Sequence, residues 1–100
     1  MTEDPRWPRA ARWLASGAAR PRFAVLGVPA HETSISPTRA NATPRAVRDA
    51  LTRYSTYSTR LDLDLRDLPV TDLGDVRLPD HFEGELRVAD AVRNVNPETL

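Results

Sequence analysis

The segment Leu-Asp-Leu-Asp-Leu-Arg-Asp-Leu-Pro-Val-Thr-Asp-Leu-Gly-Asp-Val, residues 61–76, carries five aspartates: Asp62, Asp64, Asp67, Asp72 and Asp75. Carboxylates that dense could hold a metal ion, or they could be the solvent face of one strand and the loop end of another. Asp62 and Asp64 alternate with Leu61, Leu63 and Leu65. Alternation sends both carboxylates to one side of a short strand, its solvent side. No histidine lies near them in sequence, so the pair reads as the wet face of a half-buried strand or edge segment. Asp72 and Asp75 bracket Leu73 and Gly74 at a strand end. There a carboxylate more often fixes a turn or accepts backbone N–H groups than touches substrate or metal.

The only histidines are His31 and His81, and there is no cysteine. Two histidines without a co-located acid pair make a poor metal set. His31 stands in a polar loop with Thr33, Ser34 and Ser36. That loop could line a substrate entrance, its hydroxyls bonding a polar substrate or the loop's own backbone. His81 follows Asp80 in a turn and is expected to be exposed. No Ser-His-Asp arrangement follows from these spacings.

The elements that must position these residues follow from periodicity. Residues 4–17 read as a short helix with Pro8 in its first turn and Gly17 as its stop. Ala10, Trp13 and Leu14 share one face, which packs on the domain's own surface. Residues 22–28 are a continuous apolar run, the mark of a strand covered on both faces in a parallel sheet. A long loop follows. Thr43 and Pro44 then read as the cap and first residue of a helix whose Val47, Ala50, Leu51 and Tyr54 form one stripe. Residues 61–65 and then 68–73 read as strands. The order is a βαβ unit, expected to be parallel with a right-handed crossover. A last helix carries Val88, Ala91, Val92 and Val95 toward the sheet and Glu83, Arg87, Asp90 and Asn94 away from it. Pro97 marks its end.

Composition narrows the classes. The chain has 100 residues, enough for one domain or part of a larger one. All fourteen basic residues are arginine, and the formal net charge is zero. Residues 1–22 hold five arginines against two acids, and residues 60–100 hold five against ten. The basic residues form no dense run and the aromatics do not interleave with them, which gives nucleic-acid binding little support. No apolar run approaches the roughly 20 residues that span a bilayer, and no apolar signal segment opens the chain. Lack of cysteine excludes disulfides and thiolate sites and fits a cytoplasmic location. Gly27 alone does not make a dinucleotide fingerprint, and no phosphate-binding P-loop is present.

Three ordered pieces remain, and together they resemble the opening of the ureohydrolase family, which includes arginase, agmatinase and formimidoylglutamase. Gly27 and Pro29 match a strand ending in Gly-x-Pro. Pro44 and Arg48 match a Gly-Pro-x-x-x-Arg helix start, with Thr43 where the family usually has glycine. Asp72, Gly74 and Asp75 match a strand ending in Asp-x-Gly-Asp. The resemblance runs from about Phe23 to Val95, and its loop 31–43 contains no glycine, unlike arginase and agmatinase loops.

The resemblance implies an α/β fold, a three-layer α/β/α sandwich around a mostly parallel sheet. Residues 1–100 would be the N-terminal part of one such domain, with only its first strands and helices present. It implies hydrolysis of a C–N bond in a linear amidine or guanidine, a manganese pair as cofactor, and trimers or hexamers. The metal ligands of the family lie on later strands, in motifs not found at matching places here. The chain is therefore expected to supply scaffold and one rim loop, and to be inactive alone. The alternative is a small standalone α/β binding module without catalysis.

Overall fold

The computed structural model describes residues 6–95. Two strands, β1 (Phe23–Gly27) and β4 (Val70–Asp75), pair in parallel. Phe23 lies opposite Val70 and Val25 opposite Asp72; the register then shifts, so that Gly27 meets Asp75. The fold is α/β, as expected. The crossover between the strands holds a 3-10 turn, helix α2 (Thr43–Leu51), and a small antiparallel hairpin of β2 (Tyr57–Ser58) with β3 (Leu63–Asp64). Helix α1 (Ala10–Leu14) precedes β1 and helix α3 (His81–Arg93) follows β4.

The helices lie on opposite faces of the strand pair. Val25 shares a groove with Trp13, Leu14, Val47 and Leu51 of α1 and α2. Ala24, Thr71 and Leu73 share another with Ala91 of α3 and Val95 just past its end. Neighbouring strand residues point to opposite faces, so the arrangement is helix, sheet, helix. The apolar core of the described residues is small: Ala10, Leu14, Val70 and Val76 are buried. Helix α1 is sewn to the crossover by the Ala10 N–H, which donates to the Tyr54 carbonyl at 2.8 Å, and by the Trp13 indole N–H, which donates to the Leu68 carbonyl at 2.9 Å. It packs on the chain's own surface, as its face indicated.

Several local expectations are corrected. Helix α1 is short: Arg9 caps it with extended backbone, Pro8 precedes it, and it ends at Leu14 before Gly17. Strand β1 is not covered on both faces, because Phe23 is 50% exposed and Val25 is exposed beside it. The helices described here reach only part of each face. Thr43 is the first helical residue of α2 rather than its cap, since the 3-10 turn Ala40–Ala42 runs directly into the helix.

The alternating leucine–aspartate run is strand only at Leu63 and Asp64. Asp62 has a left-handed backbone, with φ of +48°, and takes a hydrogen bond from the Tyr57 hydroxyl. Asp64 accepts the Arg66 N–H at 2.9 Å and so starts a 3-10 turn at once. Local side-chain bonds outcompete extension here. The parallel partner of β1 is the later strand, Val70–Asp75.

Helix α3 turns inward most of the face its stripe marks: Val88, Ala91 and Val95 are half-buried, and Glu83 is exposed. Val92 is 54% exposed, while Arg87, Asp90 and Asn94, expected on the far side, line the groove against the sheet with Ala91 and Val95. Gly84 seats the helix. It is buried against the Pro79 carbonyl, where any Cβ would overlap backbone. Residues 84, 88 and 91 share a helix face, and docking of the glycine turns that face inward. Pro97 lies outside the described residues.

Candidate functional site

In open α/β sheets ligands bind beyond the carboxyl ends of the strands. Two clusters lie there. The first gathers most of the motif residues. Arg48 reaches from the middle of α2 to the end of β4. Its Nε and Nη2 donate to Oδ2 and Oδ1 of Asp72, both at 2.9 Å, and its Nη1 donates to Asp75 Oδ1 at 2.6 Å. Asp72 Oδ1 also accepts the Gly74 N–H at 2.9 Å. Gly74 has a φ of +77°, a backbone that suits glycine, and this turn brings Asp75 back to the same guanidinium. Gly27 completes the cluster. A Cβ there would overlap the Asp75 carboxylate and press on Pro44. Its carbonyl accepts the Val76 N–H at 2.9 Å.

The electrostatics match a tie rather than an acid or base. Hydrogen bonds from Arg48 hold the Asp72 carboxyl below its usual range; partial burial opposes this and the Gly74 N–H assists it. Arg48 is raised in turn by its bonds to Asp72 and then Asp75. Each of the three groups is mutually satisfied, and the cluster is only partly covered, with Arg48 25% and Asp72 24% exposed at the side chain. Such a fork fixes geometry well and moves no proton near neutral pH.

The second cluster joins the loop after β1 to the turn before α3. Asp80 Oδ1 accepts the backbone N–H groups of His31 and Glu32, both at 2.9 Å. His81 Nε2 lies 2.8 Å from Glu32 Oε2, and His31 Nδ1 lies 3.5 Å from Asp80 Oδ2. Burial works against ionisation of Asp80, yet the two N–H bonds and the nearby histidines together hold its carboxyl below the usual range. Pro29, His31, Asn41 and Pro79 border an open cleft of about 410 Å³ at this joint.

The remaining loop residues do not converge. The Ser34 hydroxyl lies 3.4 Å from that of Thr38, an internal loop contact. Thr33 and Ser36 are exposed. Sequence reasoning left Glu32 and Asp80 out of the site and treated His81 as simply exposed. The available signal was the pair of adjacent acid–histidine dipeptides, His31-Glu32 and Asp80-His81, each just past a strand.

Among the described residues no three His, Asp or Glu side chains are grouped to hold a metal ion. Asp72 and Asp75 are committed to Arg48, Asp64 to Arg66 and His81 to Glu32, while His31 Nδ1, 3.5 Å from Asp80 Oδ2, is buried without a hydrogen-bond partner. These residues do not fit a manganese pair. Nor is any described helix long and apolar enough to cross a membrane.

A family model described as the arginase family matches residues 21–98. The chain belongs to the arginase family, the ureohydrolases its motifs resemble. It is 43% identical over 56 residues to a formimidoylglutamase of Halalkalibacterium halodurans, covering 56% of this chain and 18% of that protein. It is 32% identical over 82 residues to an agmatinase of Pyrococcus horikoshii, covering 78% of this chain and 29% of that one. An N(1)-aminopropylagmatine ureohydrolase of Thermococcus kodakarensis is 35% identical over 78 residues, 77% of this chain and 26% of its own length. The crystal structure of a formimidoylglutamase from Bacillus subtilis superposes with a TM-score of 0.73 over 91% of this chain and 30% of that one, at 24% identity, a likeness of fold. The chain thus spans less than a third of the length of each of these proteins.

Proposed function

We propose that the chain is the N-terminal part of a hydrolase that cleaves a C–N bond in a linear amidine or guanidine, with a formimidoyl amino acid as the favoured substrate type. The observation that carries this reading is the convergence of Gly27, Pro44, Arg48, Asp72, Gly74 and Asp75 at the carboxyl ends of β1 and β4. The similarity to a formimidoylglutamase and the glycine-free loop support the substrate type.

In this reading the Arg48 cluster is scaffold. It fixes the ends of the two strands, and the loop bearing His31, Thr33, Ser34 and Ser36 forms part of the rim through which substrate enters. Hydrolysis adds water at the amidine carbon and expels an amine, releasing formamide from a formimidoyl group or urea from a guanidine. The manganese pair the family resemblance implies would be held by other parts of the whole protein, which we place in the cytoplasm as a trimer or hexamer. Exposed Phe23, Val25 and Val47 weigh against a standalone binding module, which would cover its own sheet.

The test is an assay of the purified 100-residue chain with manganese and, separately, N-formimidoyl-L-glutamate, agmatine and arginine. No formamide or urea is expected. The whole protein is expected to release formamide from the first substrate. Product from the isolated chain would overturn the scaffold role; a whole protein that spares all three substrates would overturn the hydrolase reading.

A further inference from the structure

We propose that Asp80 is the positioning residue of the loop after β1, setting the direction in which Thr33, Ser34 and Ser36 leave the strand end. The assignment rests on the reading of that loop as the rim of an amidine site.

Asp80 stands at the N-cap of α3 with extended backbone, where an aspartate ordinarily returns its carboxylate to the helix N–H groups. Here it makes no such bond. Its Oδ1 is turned outward and takes two consecutive amides of a distant loop, those of His31 and Glu32. The side chain is 10% exposed, so water competes poorly for that oxygen. The N–H groups of adjacent residues lie in two successive peptide planes, so binding both to one oxygen fixes those planes relative to each other, which a single contact would not do. The loop answers in kind: Glu32 pairs with His81, so each segment gives one acid and one histidine to the other.

The turn that carries Asp80 is held rigidly enough to serve as a reference. Leu78 and His81 both have left-handed backbone, with φ of +48° and +64°. Neither is glycine, and such residues keep this conformation where the surroundings dictate it. Gly84 packs directly on the Pro79 carbonyl, and the Arg87 guanidinium donates to the Leu78 carbonyl at 2.8 Å. Helix α3 therefore clamps the turn from below while Asp80 presents its carboxylate to the loop.

Amide hydrogen exchange measured by NMR on the 100-residue chain, with Asp80→Ala and Asp80→Asn, tests the assignment. Loss of a bond to a charged acceptor is expected to speed exchange at His31 and Glu32 by about tenfold in Asp80→Ala. Amides of β1 and β4 should exchange as in the parent. Asp80→Asn should recover most of the protection, because its amide oxygen can accept both N–H groups. Unchanged exchange at His31 and Glu32 in Asp80→Ala overturns the proposal. So does equal loss in the strands, which would make Asp80 a residue of general stability, and so does an Asn variant no better than Ala. The measurement reads the loop itself, so it stands or falls separately from the substrate assays.

Discussion

Two joints lie past the same pair of strands, and each is built on an aspartate. At one, Asp72 takes both prongs of a guanidinium from the crossover helix, and Asp75 takes the third N–H. At the other, Asp80 takes two backbone amides of a loop. The first joins side chain to side chain between regular elements. The second joins side chain to main chain between irregular ones. A fork holds two elements together, and any loss at it is felt by the whole domain. An amide clamp orders a few residues, and its loss is felt locally.

That contrast can be broken by measurement. The largest effect is expected from Arg48→Ala, which leaves Asp72 half-covered without its cation. Destabilisation of about 2 kcal/mol is expected, read from the midpoint of urea unfolding. Arg48→Lys should recover less than half, since a point charge cannot serve both oxygens of Asp72 and Asp75 together. If alanine costs less than about 0.5 kcal/mol, the fork is no stronger than an ordinary surface pair.

Gly27→Ala comes next. The added methyl would displace the Asp75 carboxylate from Arg48 and crowd Pro44, at a cost of about 1–2 kcal/mol. Combined with Arg48→Ala the two losses should fall short of additive, because they strike one network. Strict additivity in the double variant would sever Gly27 from the cluster.

Acid should weaken both joints. Asp72 and Asp80 each titrate lower in the folded chain than an ordinary carboxyl. The unfolded chain then binds more protons in acid, so their contribution is whole above about pH 4 and is lost as pH falls through the folded values. Thermal melts at pH 7, 4 and 3 should show this loss. The Arg48→Ala variant should lose less, because Asp72 no longer has a depressed value to forfeit. A parallel fall in variant and parent would remove Asp72 from the acid response.

The smallest effect belongs to His81→Ala. His81 and Glu32 are both exposed, and such pairs contribute about 0.5 kcal/mol or less. The melt should hardly move. A drop of several degrees would mean that the clamp bears on global stability, and the contrast between the joints would fail.

Legibility in the sequence followed the same divide. The fork could be read because its residues occupy regular positions: Pro44 and Arg48 one helical turn apart, Asp72 and Asp75 on either side of a turn glycine. Parallel pairing of β1 with β4 followed from the βαβ order. Three things could not be read. The leucine–aspartate run alternated like a strand, yet Asp62 and Asp64 found local partners that bent it. The stripe of α3 named the covered side at Val88, Ala91 and Val95, but nothing in it announced the close seat of Gly84 on Pro79. Asp80 read only as part of the turn before His81, and the path of a loop far away in sequence gave its carboxylate its work.

The parallel pairing of Phe23 with Val70 also bears on how the chain reaches this fold. Nothing local brings those strands together, so the whole crossover must close before the first ladder bond forms, and the entropy of closure falls on the folding rate. Arg48 sits near the midpoint of that crossover and grips the far strand. Once seated, it divides one long closure into two shorter ones. Arg48→Ala is therefore expected to slow folding more than it speeds unfolding, read from the two arms of a denaturant chevron.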